Sequence, residues 1–154
     1  MKISLGYIAG FVDGEGCITL SRAYRKDVRD DVWGNIQIAL AYKEENVKLL
    51  TYFHKEFGGY YKKVQRRNIN QNDAVFWRIT SQKAAGLARQ LLPYLNLKKR
   101  QAEIIIRYAK LRGKHSRKRS LRFSKKEINE RKSLLREIRI LNKRGFQNSL
   151  AETE

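Results

Sequence analysis

The spacing of apolar and polar positions changes period several times along the chain. Leu5, Ile8, Ala9 and Val12 recur at helical spacing behind Ser4, a good N-cap residue, and Gly14 and Gly16 are expected to end this helix. The period then falls to two. Ile18, Leu20 and Tyr24 take one face, and Thr19, Ser21, Ala23 and Arg25 take the other. A polar stretch, 26–31, leads to a second alternating run with Ile36, Ile38 and Leu40 inward and Asn35, Gln37 and Ala39 outward. These runs predict an antiparallel hairpin with a long charged tip. Helical spacing returns over Glu45–Phe57, with Val47, Leu50, Thr51, His54 and Phe57 as its stripe. His54 has no ligand partner at useful spacing and reads as a helix-face residue. Gly58 and Gly59 break the helix, and Tyr60–Arg67 reads as a third strand. Its phase stays open, because Tyr60, Tyr61, Lys62 and Lys63 do not alternate. Turn chemistry over 68–73 precedes a fourth strand, Ala74–Thr80. Two helices follow, Ser81–Leu92 (stopped by Pro93) and Lys98–Leu111.

Helix, two strands, helix, two strands, helix is a repeated αββ unit. The expected class is α+β, with an αββαββα core over 1–111 whose four antiparallel strands form one sheet covered by helices on one face. The other face carries small, polar or basic side chains and can lie along a DNA groove. Beyond Leu111 the character changes. Arg112–Phe123 is basic and Ser-containing, a segment expected to order on binding. Ser124 and Glu127 make a capping box for a final helix striped by Ile128, Leu135, Ile138 and Leu141, with Gly145 as its stop. Residues 112–146 are expected to belong to the same domain, and 147–154 to fray.

Composition narrows the function. At 42% hydrophobic, the 154 residues can bury a core, which argues against disorder throughout. The net charge is +19, with 15 basic and 9 acidic groups over 1–97 but 19 basic and 4 acidic over 98–144. So large an excess repels itself and calls for a polyanionic partner; nucleic acid fits better than a solvated face. No apolar run approaches the roughly 20 residues of a membrane span, and the basic stretch is too polar for an interfacial helix. No secretory leader pattern follows Lys2, so an intracellular location is expected, in cytoplasm or an organelle. Cys17, the single cysteine, excludes an internal disulfide framework and a multi-Cys zinc site.

Residues 6–16 read Gly-Tyr-Ile-Ala-Gly-Phe-Val-Asp-Gly-Glu-Gly. Gly6, Gly10 and Gly14 are four apart, so they form a bare helix face that permits close approach of a similar helix. The competing reading packs them on the sheet. Three glycines in one short helix cost roughly 2–3 kcal/mol against alanine, so a packing reason is favoured. Glu15 falls at the negative end of the helix macrodipole. A symmetry mate across the glycine face would bring two carboxylates together, and a divalent cation is the natural resolution.

The stretch Ile8–Gly16 resembles the signature of the LAGLIDADG homing endonucleases. Ala9, Gly10, Asp13 and Gly16 are identical, and Ile8, Phe11 and Val12 are apolar replacements. The segment Pro93-Tyr94-Leu95-Asn96-Leu97-Lys98 and the element order are similar to that family over about 4–111. The resemblance implies a homodimer packed through Gly6, Ile8, Ala9, Gly10 and Asp13. It implies Glu15 and the Gly14 carbonyl as ligands of Mg²⁺, with Mn²⁺ able to substitute, and Lys98 near the scissile phosphate. Asp13 is expected to brace neighbouring N–H groups rather than bind metal. Where some relatives place a water-contacting glutamine, this chain places Tyr42. Its hydroxyl either holds the solvent network or that role is missing. Expected DNA contacts are Thr19, Ser21, Arg25, Asn35, Gln37, Lys62, Arg66, Arg78, Arg117, Lys118 and Arg119. Trp33 and Trp77 read as core or hairpin-base residues. The implied activity is metal-dependent double-strand cleavage of a long pseudo-palindromic DNA site by an intron-encoded enzyme. The competing readings are a non-catalytic binder on the same scaffold (a transcription regulator, or a maturase acting on intron RNA) and a basic RNA-associated protein.

Overall fold

The structure, a computed structural model, describes residues 2–22, 32–65, 73–113 and 124–143. Its elements are α1 (Leu5–Glu15), β1 (Gly16–Arg22), β2 (Val32–Ala41), α2 (Glu44–Phe57), β3 (Tyr60–Val64), β4 (Ala74–Thr80), α3 (Ser81–Leu91), α4 (Lys99–Gly113) and α5 (Lys125–Leu141). The strands form one antiparallel sheet in the order β1-β2-β4-β3. The fold is the expected α+β arrangement.

Register sorts the two faces. The pairs Ile18–Ile36, Ile36–Ile79 and Ile38–Trp77 turn inward, and all of these side chains are buried. Phe53 of α2 sits against Trp77, with Phe11 and Phe57 edge-on to it. The Trp77 indole N–H donates to Gly58 O at 2.9 Å, so the largest core side chain leaves no orphan donor. Close approach needs glycine at two positions. A Cβ on Gly34 would lie 2.8 Å from Ile105 of α4, and one on Gly16 would lie 2.7 Å from Val12 O. The first lets α4 settle on the sheet; the second lets β1 leave α1 without a gap.

Several expectations are corrected here. The helix does not stop at Gly14 but carries Gly14 and Glu15 in its last turn, with Gly16 as its cap. The α2 stripe runs through Leu50 and Phe53, while His54 is exposed and lies against the Tyr61 ring. The third strand is shorter than expected. Pairing of Tyr61 with Trp77 and of Lys62 with Phe76 settles its phase: Lys62 faces outward and Tyr61 inward.

In α5 the buried residues are Arg131, Leu134 and Ile138, whereas Ile128 and Leu141 are exposed. The capping box of Ser124 and Glu127 forms in both directions. This helix is fastened to α4 by polar contacts. Arg100 reaches Glu137 through two nitrogens, Arg107 pairs with Glu130, and Arg131 donates to the Tyr108 hydroxyl at 3.0 Å. At its end, the Asn142 amide donates to Ile18 O at 2.9 Å, on the edge strand. The hydrogen bonds from Arg100 hold the Glu137 carboxyl below its ordinary range. That contribution is present at neutral pH and is lost only as acid protonates Glu137. Among the described residues, no helix is long and apolar enough to cross a membrane.

Candidate functional site

Everything of chemical interest gathers at the C-terminal end of α1 and on the open face of the sheet. Ser4 caps the start of the helix by accepting from Tyr7 N. Ile8, Ala9 and Val12 then bury one face of α1 in the core. Burial of that face leaves Gly6, Gly10 and Gly14 pointing away from it, all exposed. A Cβ on Gly10 or Gly14 would meet nothing within 4 Å. This bare strip is flanked by exposed apolar side chains that sequence reasoning missed: Tyr7 (55% exposed), Tyr94 (50%) and Leu97 (76%). Three large apolar groups beside an unoccupied helix face are unusual for a solitary soluble chain. For Tyr94 and Leu97 the signal in the sequence was the Pro93–Lys98 segment, which gave no hint of direction, and Tyr7 lies on α1 between the glycines.

The expected interface set is therefore corrected. Ile8 and Ala9 are 1% and 0% exposed within one chain and cannot line a contact with a second. Asp13 is also buried, and its carboxylate serves the chain itself. It accepts from Asn96 N at 2.7 Å, Leu97 N at 3.2 Å and Lys98 N at 2.9 Å. Those are the free N–H groups at the entry to α4, so Asp13 ties the end of one helix to the start of another. Asp13→Ala is expected to leave three backbone donors unpaired and to lower stability by about 2–4 kcal/mol. Denaturant melts check this.

Lys98 returns along that loop. Its ammonium donates to Val12 O at 3.0 Å and to Asp13 O, which are carbonyls of the last turn of α1. A cation at a helix C-terminus is favourable. Two residues onward along the same helix end, the Glu15 side chain is exposed to solvent. Glu15, Gly14 and Lys98 are thus brought to one place from opposite halves of the chain.

Among the described residues, no three His, Cys, Asp or Glu side chains gather into a closed metal cage. One chain offers an exposed carboxylate and main-chain carbonyls at a helix end. That set suits a hard cation that keeps water and phosphate oxygens, as Mg²⁺ does, rather than an enclosed structural ion. Tyr42 stands farther off. Gly16 pairs with Ile38, and Tyr42 lies four positions along, about 13 Å at strand spacing. Its N–H donates to Asp73 O at 2.8 Å, and Lys63 Nζ sits 4.0 Å over its ring.

The open face of the sheet carries Thr19 and Ser21 from β1, Gln37 from β2, Arg78 from β4 and Lys62 from β3. Thr19, Ser21, Gln37 and Arg78 are partly exposed and Lys62 is exposed. Arg78 lies over Phe76 and Lys62 near the Tyr60 ring, so both cations are held against aromatic faces. Asn35 corrects an expectation. It belongs to this face by register but is 0% exposed, so it makes no direct contact with a groove. Arg25, Arg66, Arg117, Lys118 and Arg119 lie outside the described residues.

The fold recurs among known proteins. The structure is similar to the homing endonuclease I-CvuI in complex with the I-CreI target in the presence of Mg, with TM-score 0.69 and 21% identity over 94% of this chain and 85% of that one. It is similar to the archaeal intron-encoded homing endonuclease I-Vdi141I complexed with DNA, with TM-score 0.65 and 18% identity over 94% and 87%. It also matches the LAGLIDADG meganuclease I-AabMI bound to uncleaved DNA, with TM-score 0.61 and 26% identity over 96% of this chain but 47% of that one. Among curated proteins, sequence comparison finds no match. The profile described as LAGLIDADG endonuclease matches residues 8–115, well over half of the chain, and the chain belongs to that family.

Proposed function

We propose that this protein is a homodimeric homing endonuclease that makes metal-dependent double-strand breaks in a long, pseudo-palindromic DNA target. The observation that carries the reading is the end of α1: an exposed Glu15, with Lys98 on the adjoining carbonyls, beside Gly10 and Gly14, which no described residue covers. One such chain offers one exposed carboxylate at this helix end, Glu15, and a double-strand break needs one at each strand. Two copies related by a two-fold through the glycine face would supply both and join two sheets into one surface. The half-length match to I-AabMI is consistent with that count, since two copies of this chain are needed to span it.

A divalent cation bound between the two helix ends would supply Lewis-acid stabilisation and an activated water. The chain's own contribution is orientation and charge. Glu15 would supply the negative pole at the helix end, and Lys98, held on the Val12 and Asp13 carbonyls, would stabilise a phosphate oxygen that gains charge during in-line attack. The open sheet face, with Thr19, Ser21, Gln37, Lys62 and Arg78, would read base edges, and the basic segment beyond Gly113 would hold the backbone. The encoding gene would lie within an intron.

Cleavage and binding of a duplex library, with and without Mg²⁺, test the reading together. Salt dependence tests the role of the basic segment. Each phosphate neutralised contributes about −0.9 to the slope of log K against log salt. Removing the whole tail is not a clean experiment, because α5 is packed on α4 and buries Arg131. Neutralising Arg117, Lys118 and Arg119 to alanine is expected to flatten the slope by up to about 2.7. Affinity should fall for all sequences alike, with base preference kept. A changed preference at constant slope would mean that this segment reads bases.

A further inference from the structure

The open face of the sheet changes chemistry along its strands. Ala39 of β2, Phe76 of β4 and Lys62 of β3 form one row across it, because Ala39 pairs with Phe76 and Phe76 with Lys62. Gln37, Arg78 and Tyr60 form the neighbouring row on one side, and Ala41, Ala74 and Val64 the row on the other. Paired residues on one face hold their Cβ atoms about 5 Å apart, and successive rows stand about 7 Å apart. The Gln37 row offers hydrogen bonds. The two rows beyond it offer, apart from Lys62, only apolar side chains.

Ala39 and Ala41 are exposed and Phe76 is partly exposed. Among the described residues, the core on the far face is built without Phe76. Its ring lies instead beneath the Arg78 guanidinium, 5.5 Å from the ring centroid. A single half-exposed phenyl ring is ordinary. This one stands between two cations, on the face that suits a polyanion, and borders alanines over which the surface steps down. Such a step can tell major-groove edges apart. Thymine alone presents a methyl group there, whereas the acceptors and amino groups of the other bases would lose water against it without gaining a partner.

The register also places the step. Gly16, next after Glu15, pairs with Ile38, the neighbour of Ala39. The apolar rows therefore lie at the end of the sheet nearest the end of α1, with Thr19 and Ser21 toward the other end. We infer that Ala39 and Phe76 form a thymine-methyl subsite on the cut-proximal side of each half-site, the 5-methyl group resting on Ala39 against the Phe76 ring. This rests on the DNA-cleavage reading above and names one specificity device within it. Each methyl is expected to contribute about fourfold in affinity, the worth of one buried methyl-sized group, and the two half-sites together about fifteenfold.

The full chain is first used to select sites from a randomised duplex library. The selected duplex is then bound with each thymine in turn replaced by uracil in both half-sites, which removes the methyl and keeps base pairing. Wild type is expected to enrich thymine at a symmetric cut-proximal pair and to lose about fifteenfold when uracil stands there. Ala39→Gln and Phe76→Ser should bind the thymine and uracil duplexes alike, while Phe76→Leu, which keeps an apolar contact, should retain most of the difference. A role of Phe76 in folding alone would weaken both duplexes equally and leave their ratio unchanged. If Phe76→Ser does not fold, Ala39→Gln decides, since its side chain is exposed. An enriched site without a cut-proximal uracil effect overturns the inference alone, as does an effect that Ala39→Gln or a folded Phe76→Ser leaves intact. A library from which wild type enriches nothing overturns the DNA reading and this inference with it.

Discussion

Glu15→Gln is expected to bind duplex DNA with near wild-type affinity and to cut it more slowly by a factor on the order of 10³ or more, since removing a single transition-state donor already costs about 10²–10³ in other enzymes. The side chain is exposed at the end of α1, and no described residue pairs with it. Its replacement therefore breaks no contact that holds the fold. Removing a negative charge from the negative end of a helix is mildly favourable, so the melting temperature should hold or rise slightly. Gel-shift affinity, thermal melting and Mg²⁺-dependent cleavage, read on the same preparation, check the three parts. Metal-dependent cutting near the wild-type rate would remove Glu15 from the cleavage centre.

Gly10→Leu should separate folding from assembly. Within one chain, a Cβ at Gly10 meets open space, and leucine is a better helix former than glycine by somewhat under 1 kcal/mol. The single chain is expected to fold at least as well as wild type. Two helices meeting face to face across Gly6, Gly10 and Gly14 cannot tolerate the same group. Dimer, tight site-specific binding and double-strand cleavage should be lost together. Sedimentation of the protein–DNA complex is the deciding measurement. One chain per cleaved duplex, or a Leu variant that still dimerises through this face, would refute the arrangement.

The periodicities were strong enough to give the sheet, its faces and the order of the helices, because one wet and one dry face impose a period that leaves little choice. Residues with two possible partners were harder to place. Ile8 and Ala9 sit on the same helix as the glycines, and only the position of the core decides which face is free. His54 and Phe53 are adjacent, and the helical stripe through His54 was one position out of step with the aromatic cluster around Trp77. Asn35 alternates with the outward residues and yet is buried, because outwardness along a strand says nothing of what neighbouring side chains cover. Asp13 was legible as a brace, whereas its partners, 83 to 85 residues away, were not. Long-range hydrogen bonds to backbone N–H groups leave no composition signal at the donor end.

Both margins of the sheet are blunted, and by different means. The β3 margin is five residues long and carries Lys62 and Lys63, a short charged border that discourages pairing with a neighbour. The β1 margin is not charged in that way over Cys17–Ser21. It is covered instead by the last turn of α5, whose Asn142 occupies the Ile18 carbonyl. During synthesis β1 emerges well before α5, so this margin stays open to other nascent or unfolded chains until α5 has docked. Chains cut short before Asn142 are expected to leave this margin open and to be the more prone to edge-to-edge aggregation.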